Sequence, residues 1–381
     1  MGKQSRMKKI LFITNLPSPY RMDFFNYLGQ SCDLTVIFER KKAEDRDDRW
    51  VGHAAIHFKE VYADLKPFRK EGSKGRGLIK LLKISDYDLV IFSGYASPSV
   101  RAAIAYCIRK KIPYYIEYDG GFDKKDSFIK ACYKKYLLTS ARGHFITCRE
   151  LESYLTRMGI PQERLLRYPF SSLNRADISL TVPTLEYKAQ LKKELGIHTA
   201  CAILTVGQFI PRKGFDILLQ AAAKVSEPCD IYIVGGEPTE EYLRMKEDLG
   251  LTNVHFIGFM SKEELKKWYR ACDIFVLPTR EDIWGLVINE AMANGLPVIS
   301  TNRCIAALEL IEEGKNGYVV PVEDADALAE KLSIVISDTN LRERMAAQSL
   351  EKIREYTIEN MVQSHVNYLH LRGDSYPTEA G

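Results

Sequence analysis

The chain has 381 residues, of which 46% are hydrophobic and 27% charged, with 24 Gly, 15 Pro and 8 Cys. That profile excludes collagen-like, low-complexity and disulfide-scaffold classes and sets an expectation of two globular domains. The net charge of +4 hides an asymmetry: residues 1–180 carry 33 Lys+Arg against 20 Asp+Glu, and residues 181–381 carry 21 against 30, so the first half is expected to meet an anionic ligand or surface.

In chain order, Lys9–Thr14 reads as a first strand and not as part of a secretion signal, because its apolar run is short and is broken by Thr14 and Asn15. A helix over about 21–30 and a strand over Leu34–Phe38 follow. Further strands are expected at Leu89–Phe92, Tyr114–Glu117 and His144–Thr147, with helices over Ser99–Lys110 and Arg149–Met158. Strands alternating with helices of ten or so residues imply parallel βαβ units. The stretch from Pro169 to about Leu195 has no strand signal and is the expected linker.

A second series starts with a strand over Ala202–Val206 and a helix over Phe215–Ala223. Strands are then expected at Asp230–Val234, Val254–Ile257, Ile274–Leu277, Pro297–Ser300 and Tyr318–Val320, and helices from Asp324 to about Leu371. The domain expectation is therefore 1–175, completed by a C-terminal helix at 358–375, and 176–357. Two such sheets would leave a cleft outside the carboxyl ends of their strands, where ligands of this architecture bind.

The cysteines show no metal-ligand spacing and read as reduced, mostly buried thiols, which points to a cytoplasmic protein. No stretch reaches the roughly 18 uncharged apolar residues that a membrane-spanning helix needs. The basic segment 66–83 carries seven cations among aromatic and aliphatic residues and reads equally as a helix for an anionic bilayer or as a solvated helix and loop. Asp45-Arg46-Asp47 lies in a charged run and Asp86-Tyr87-Asp88 precedes its strand, so neither triplet is expected to hold a metal. No recognised motif accompanies the basic half, and nucleic acid is not an expected partner.

The most informative segment is TREDIWGLVINEAMANGLPVIS, residues 279–300. Glu281 and Asp282 follow a strand, Trp284-Gly285-Leu286 opens a helix, and Glu290 lies eight residues beyond Asp282 on that helix. The N–H groups of Gly285, Leu286 and Val287 would suit a phosphate, although an acidic first turn with an incidental Glu290 is equally compatible with the pattern. A second segment, Val206-Gly207-Gln208-Phe209-Ile210-Pro211-Arg212-Lys213-Gly214, is a strand end, a loop and two cations that could neutralise a diphosphate. On its own it also reads as an ordinary solvated loop.

Together these segments resemble the E-x7-E signature and the V-G-R-x-x-x-x-K-G pattern of retaining, nucleotide-sugar-dependent glycosyltransferases of family four, the glycosyl transferases group 1. Gly285, Leu286, Glu290, Ala291, Met292, Ala293, Gly295, Pro297 and Val298 match the first pattern, and Gly207 and Lys213 match the second. Gly235 and Gly236 resemble the family's strand-end glycine pair, and Phe256-Ile257 the segment that reads the base. Three positions depart: Asp282, with Glu281 before it, stands at the first acid, Gln208 replaces an Arg, and Ala306-Ala307 replace glycines.

The resemblance implies an α/β fold of the GT-B type, with two doubly wound Rossmann-like domains facing across a cleft, the first for the acceptor and the second for the donor. It implies transfer of a sugar from a nucleoside diphosphate, UDP above others, to a lipid-linked or polysaccharide precursor, with no cofactor and no metal, at the inner face of the plasma membrane. By that resemblance Asp282 or Glu281 orients the sugar, Glu290 holds the ribose, and Lys213 with Arg212 or Gln208 receives the diphosphate. Gly207, Gly235, Gly236, Trp284, Gly285, Leu286 and Val287 complete the donor site. Asp119, after the strand ending at Glu117, is the candidate acceptor-side base, although Asp119-Gly120 also reads as a turn. A noncatalytic nucleotide-sugar binder and a sugar-nucleotide epimerase on the same architecture are the alternatives.

Overall fold

A computed structural model describes residues 6–41, 54–63, 78, 79, 82, 87–123 and 127–371. The chain forms two compact units, Met1–Ser172 with Ile358–Gly381, and Leu173–Thr357.

The first unit is built on a parallel sheet of seven strands: β1 (Lys9–Thr14), β2 (Asp33–Phe38), β3 (Lys59–Tyr62), β4 (Leu89–Ser93), β5 (Tyr114–Glu117), β6 (Gly143–Ile146) and β7 (Leu165–Arg167). Their order is β3-β2-β1-β4-β5-β6-β7, so the winding reverses between β1 and β4. The run KILFIT forms β1 because its five residues after Lys9 are all buried, as a parallel strand covered on both faces requires. Sequence reading misses β3 and β7: KEVY is exposed or half-buried on the sheet edge, and LLR has three residues, too short for a periodic signal.

The last helix, Ile358–Leu369, belongs to this unit although it follows the second. The reason is chemical as well as hydrophobic. Its fully buried His365 presents Nδ1 to the Met361 carbonyl at 2.8 Å and Nε2 to Glu117 Oε1 at 3.1 Å. The same ring stacks on Phe145, with centroids 4.1 Å apart.

The second unit repeats the architecture with six parallel strands: β8 (Ala202–Val206), β9 (Asp230–Val234), β10 (Val254–Ile257), β11 (Ile274–Leu277), β12 (Val298–Thr301) and β13 (Gly317–Val320). Their order is β10-β9-β8-β11-β12-β13, with the reversal between β8 and β11. Ile203, Ile231, Ile233, Val276 and Ile299 from the sheet and Phe215, Leu218, Leu328 and Leu332 from its helices form a single buried core. The expected linker is corrected in part. Thr184 caps a helix over Leu185–Glu194, and that helix is tied to the unit by Lys188 and Lys192, which pair with Asp273 at 3.2 and 2.6 Å.

Asp45-Arg46-Asp47 lies outside the described residues, as does the basic segment 66–83 apart from residues 78, 79 and 82. Asp88 accepts a bond from the Lys9 N–H at 2.8 Å, a structural use. Among the described residues no helix is long and apolar enough to cross a membrane.

Candidate active site

In a doubly wound sheet the two loops at the winding reversal diverge to opposite faces and leave a crevice beyond the strand ends. In the second unit those loops follow β8 and β11, and they hold Gly207–Gly214 and Pro278–Gly285. Lys213 Nζ lies 2.6 Å from Asp282 Oδ2 and Arg212 Nη1 lies 3.3 Å from the same oxygen. Arg212 also donates to the Glu281 carbonyl at 2.9 Å. Two cations thus share one carboxylate at the strand ends.

Several local features hold the cations there. Gly214 (φ +68°) turns the chain between Lys213 and the helix Phe215–Ala222, and a Cβ at this position would stand 2.1 Å from the Pro278 carbonyl oxygen. The stem of Lys213 lies over Gly207, whose absent Cβ would sit 3.3 Å from Lys213 Cδ and Cε. Thr279 Oγ1 and the Arg280 N–H both donate to the Arg212 carbonyl, at 2.9 and 2.8 Å. Arg280 then clamps the loop with its guanidinium: Nη1 donates to the Pro211 carbonyl at 2.6 Å, and Nη1 and Nη2 grip Asp216 at 2.9 and 2.6 Å. Its Nε bonds Glu323 at 2.8 Å.

Arg280→Ala is expected to release this loop. Because the guanidinium is partly exposed, the stability loss should be about 1–2 kcal/mol. Thermal denaturation of the full chain would show it as a lowered unfolding midpoint.

Gly285, at φ +104°, opens the helix Leu286–Ala293, and a Cβ on it would lie 2.6 Å from Cys304 Sγ. The Ile288 N–H bonds the Gly285 carbonyl, so Leu286 and Val287 precede the first helical bond and their N–H groups lie at the positive end of the helix. Glu290, on the same helix, accepts from Tyr269 Oη at 3.0 Å. Burial pushes the Glu290 carboxyl above its ordinary value, with the Tyr269 bond opposing it. Gly235 closes against this region: its N–H bonds the Ile257 carbonyl at 3.1 Å, and the Gly207 N–H bonds the Val234 carbonyl at 2.9 Å. Phe256 packs edge-on against Phe209, with centroids 5.3 Å apart.

In the first unit the corresponding reversal lies between β1 and β4. Arg21, at the start of the helix Pro19–Leu28, is 2% exposed and pairs with Glu117 at 2.8 Å and with Asp119. It also approaches Ser93 Oγ at 3.4 Å. Burial raises Glu117, but Arg21 and His365 outweigh that and hold its carboxyl below the ordinary value. Burial raises Asp119 as well, and there the attraction of Arg21 does not prevail. The Tyr20 hydroxyl is pushed up to about 12 by burial and by Asp119.

Residues 188–352 match the model of the family described as glycosyl transferases group 1. The lipopolysaccharide core biosynthesis glycosyltransferase LpsE of Rhizobium meliloti is 30% identical over 155 residues, 40% of this chain and 45% of that protein. The spore coat protein SA of Bacillus subtilis is 33% identical over 175 residues, 42% and 46% of the two chains. The chain thus spans about half the length of the curated relatives it matches. The sucrose-phosphate synthase of Thermosynechococcus elongatus superposes with a TM-score of 0.74 at 17% identity, over 95% of this chain and 98% of that one. Anabaena HepE in complex with UDP gives 0.76 at 18%, over 95% and 99%. The fold is GT-B.

Within residues 188–352 the structure brings Arg212, Lys213 and Asp282 together and sets Gly207, Gly235 and Ile257 side by side. Two other sequence candidates of the same unit have partners elsewhere. Glu281 turns to Arg303 at 2.6 Å, so of the two neighbouring acids Asp282 alone pairs with Lys213. Trp284 is corrected: its ring is buried and its Nε1–H donates to Asn289 at 2.8 Å, a core role. Asp119 is ion-paired with Arg21, more than the simple turn that its sequence also allowed.

Tyr269, Arg280 and Arg21 are absent from the sequence candidates. Arg280 sits inside the informative segment and has a detectable signal, a cation between a strand end and an acidic pair. Tyr269 lies 21 residues before Glu290 on another helix and has none.

Proposed function

We propose that the protein is a retaining glycosyltransferase that moves a sugar from a nucleoside diphosphate to a hydroxyl of a lipid-linked or glycan acceptor in polysaccharide or lipopolysaccharide assembly. The observation that carries this reading is the pair Arg212 and Lys213 on Asp282, at the winding reversal of the second unit. UDP is the proposed base-bearing leaving group, a choice supported by the HepE complex. A polysaccharide or lipopolysaccharide acceptor is supported by LpsE.

In the proposed reaction the bond between the anomeric carbon and the diphosphate oxygen breaks through an oxocarbenium-like transition state, and negative charge grows on the leaving diphosphate. Lys213, Arg212 and the helix end at Gly285–Val287 stabilise charge that is larger in the transition state than in the bound donor, which is the condition for raising the rate. Arg212 takes the place of the arginine whose position Gln208 holds. Asp282 orients hydroxyls of the sugar and Glu290 accepts from the ribose. The acceptor oxygen bonds the anomeric carbon on the same face, and its proton passes to a leaving phosphate oxygen, so the reaction needs neither a metal nor a cofactor. Asp119, held by Arg21, is the proposed contact for an acceptor hydroxyl. The site of action is the cytoplasmic face of the membrane.

Glu290→Ala should lower donor turnover by about 10²-fold or more if a buried hydrogen-bonded contact to the ribose is lost. Proton NMR of the product should show the anomeric configuration of the donor. Unchanged turnover would remove Glu290 from the site, and an inverted product would overturn the retaining reading. The second reading, a noncatalytic binder, is favoured by Gln208 and by the engagement of both cations with Asp282. It predicts donor binding with no hydrolysis.

A further inference from the structure

The helix Phe128–Thr139, FIKACYKKYLLT, turns its apolar face outward. Phe128 and Ile129 are 83% and 82% exposed, Tyr136 53% and Tyr133 44%, and Cys132 is exposed beside them. At 100° per residue, Phe128, Cys132 and Tyr136 stack along one line at i, i+4 and i+8, and Ile129 and Tyr133 run beside it. These five side chains span roughly 140° of the helix circumference. The face that packs inward holds Leu137 and Leu138, the buried residues of this helix.

Single exposed apolar side chains are ordinary, and Leu180 and Ile283 are examples. A contiguous stripe that includes two neighbouring, almost fully exposed residues means an interaction site. Its surroundings give the partner's charge. The helix contains Lys130, Lys134 and Lys135 and no acidic residue. Lys130 and Lys135 are exposed and Lys134 is half-buried, with its Nζ 5.8 Å from the Tyr95 ring centre. Aromatic and aliphatic groups bordered by ammonium groups on long stems match the boundary of an anionic bilayer, where rings enter the headgroup layer and lysines reach the phosphates.

We propose that the helix Phe128–Thr139 is a membrane-docking surface for anionic lipid, with Phe128, Ile129, Tyr133 and Tyr136 inserting and the exposed Lys135 reaching the headgroups beside them. Charge complementarity favours lipid over a second copy of the chain, because two copies meeting on this stripe would bring the four flanking lysines, Lys130 and Lys135 of each, together. The proposal rests on the reading that places the protein at the cytoplasmic face of the membrane, and it is testable without any donor, so its failure leaves sugar transfer untouched.

The test is flotation of the full chain with phosphatidylcholine vesicles containing either no or about 30% phosphatidylglycerol, at about 50 mM and about 500 mM salt. Wild type should float with the anionic vesicles only and should lose binding at the higher salt. The exposed double variant F128S/I129S should keep its unfolding transition and bind about 10-fold more weakly or worse, since two apolar side chains no longer leave water. Cys132 is the exposed cysteine of the eight and the other seven are buried. An environment-sensitive dye attached to it should shift to the blue on adding anionic vesicles. Equal flotation with both vesicle types, undiminished binding by F128S/I129S, or no dye shift would overturn the proposal. So would a dimer of wild type that F128S/I129S dissolves, which would assign the stripe to a second copy.

Discussion

Lys213→Ala is expected to lower kcat for sugar transfer about 10²–10³-fold, the range for loss of one preorganised donor to a developing oxyanion. Lys213 Nζ is held at 2.6 Å from Asp282 and its stem crosses Gly207, which fixes the ammonium at the strand ends. Arg212 lies 3.3 Å from the same carboxylate oxygen and keeps Asp282 compensated in the variant. The stability loss should therefore stay near 1–3 kcal/mol, well short of accounting for the rate. The decisive comparison is initial rate against the thermal shift produced by UDP. The rate should collapse while the unliganded transition moves little, and UDP should stabilise the variant less than wild type. A Lys213→Ala protein that keeps its rate would remove this residue from the leaving-group site.

Arg21→Met should have the largest effect on folding, about 3–5 kcal/mol at neutral pH, because it leaves two carboxylates in the first unit without their cation. Arg21 and Glu117 are 2% and 0% exposed in their side chains, so solvent cannot replace the lost partner. For a unit of this size the loss corresponds to a fall of roughly 6–20 °C in its thermal transition.

The pH dependence distinguishes charge from packing. In wild type the folded Glu117 value is depressed, so its stabilising contribution is present above the ordinary carboxylate value and is lost as pH falls through the folded one. In the variant the buried Glu117 loses the largest attraction that depresses it and rises, and the partly exposed Asp119, already raised, rises further. Stability is then retained at low pH and lost as pH increases. The difference between wild type and Arg21→Met should accordingly narrow from pH 7 toward about pH 4. A constant difference across that range would mean that the methionine fails only to fill the space.

The parallel strands β1, β2 and β4 to β6 and β8 to β13 are legible because each is a short apolar or aromatic run between turn residues, the edge strands β10 and β13 included. The edge strands β3 and β7 are not, since KEVY carries as much charge as apolar surface and LLR has three residues. The helix Leu185–Glu194 is missed for a related reason. Only Leu191 is buried along it, and its attachment comes from lysines to Asp273, an ion pairing that leaves no periodic trace.

The same division holds for the chemistry. The order of residues in the segments 206–214 and 279–300 is enough to select the group 1 resemblance and to nominate Lys213, Asp282 and Glu290, because backbone turns and charges at fixed spacing are local properties. Which of two adjacent acids meets Lys213 was open in the sequence, and only the fold decided it. Rotation by one residue sends Glu281 to Arg303 and Asp282 to Lys213. Trp284 looks available beside the site in sequence and is consumed by the core in three dimensions.

The charge asymmetry followed the same course. Composition alone shows a basic first half and sets the expectation of an anionic partner. The tertiary structure added an outward-facing apolar stripe among its lysines, and also a cation turned inward, Arg21, between Glu117 and Asp119. Sequence determines which strands and loops can form, since these depend on neighbours along the chain. Which charged groups meet depends on contacts between residues as far apart as Glu117 and His365, and these exist only once the chain has folded.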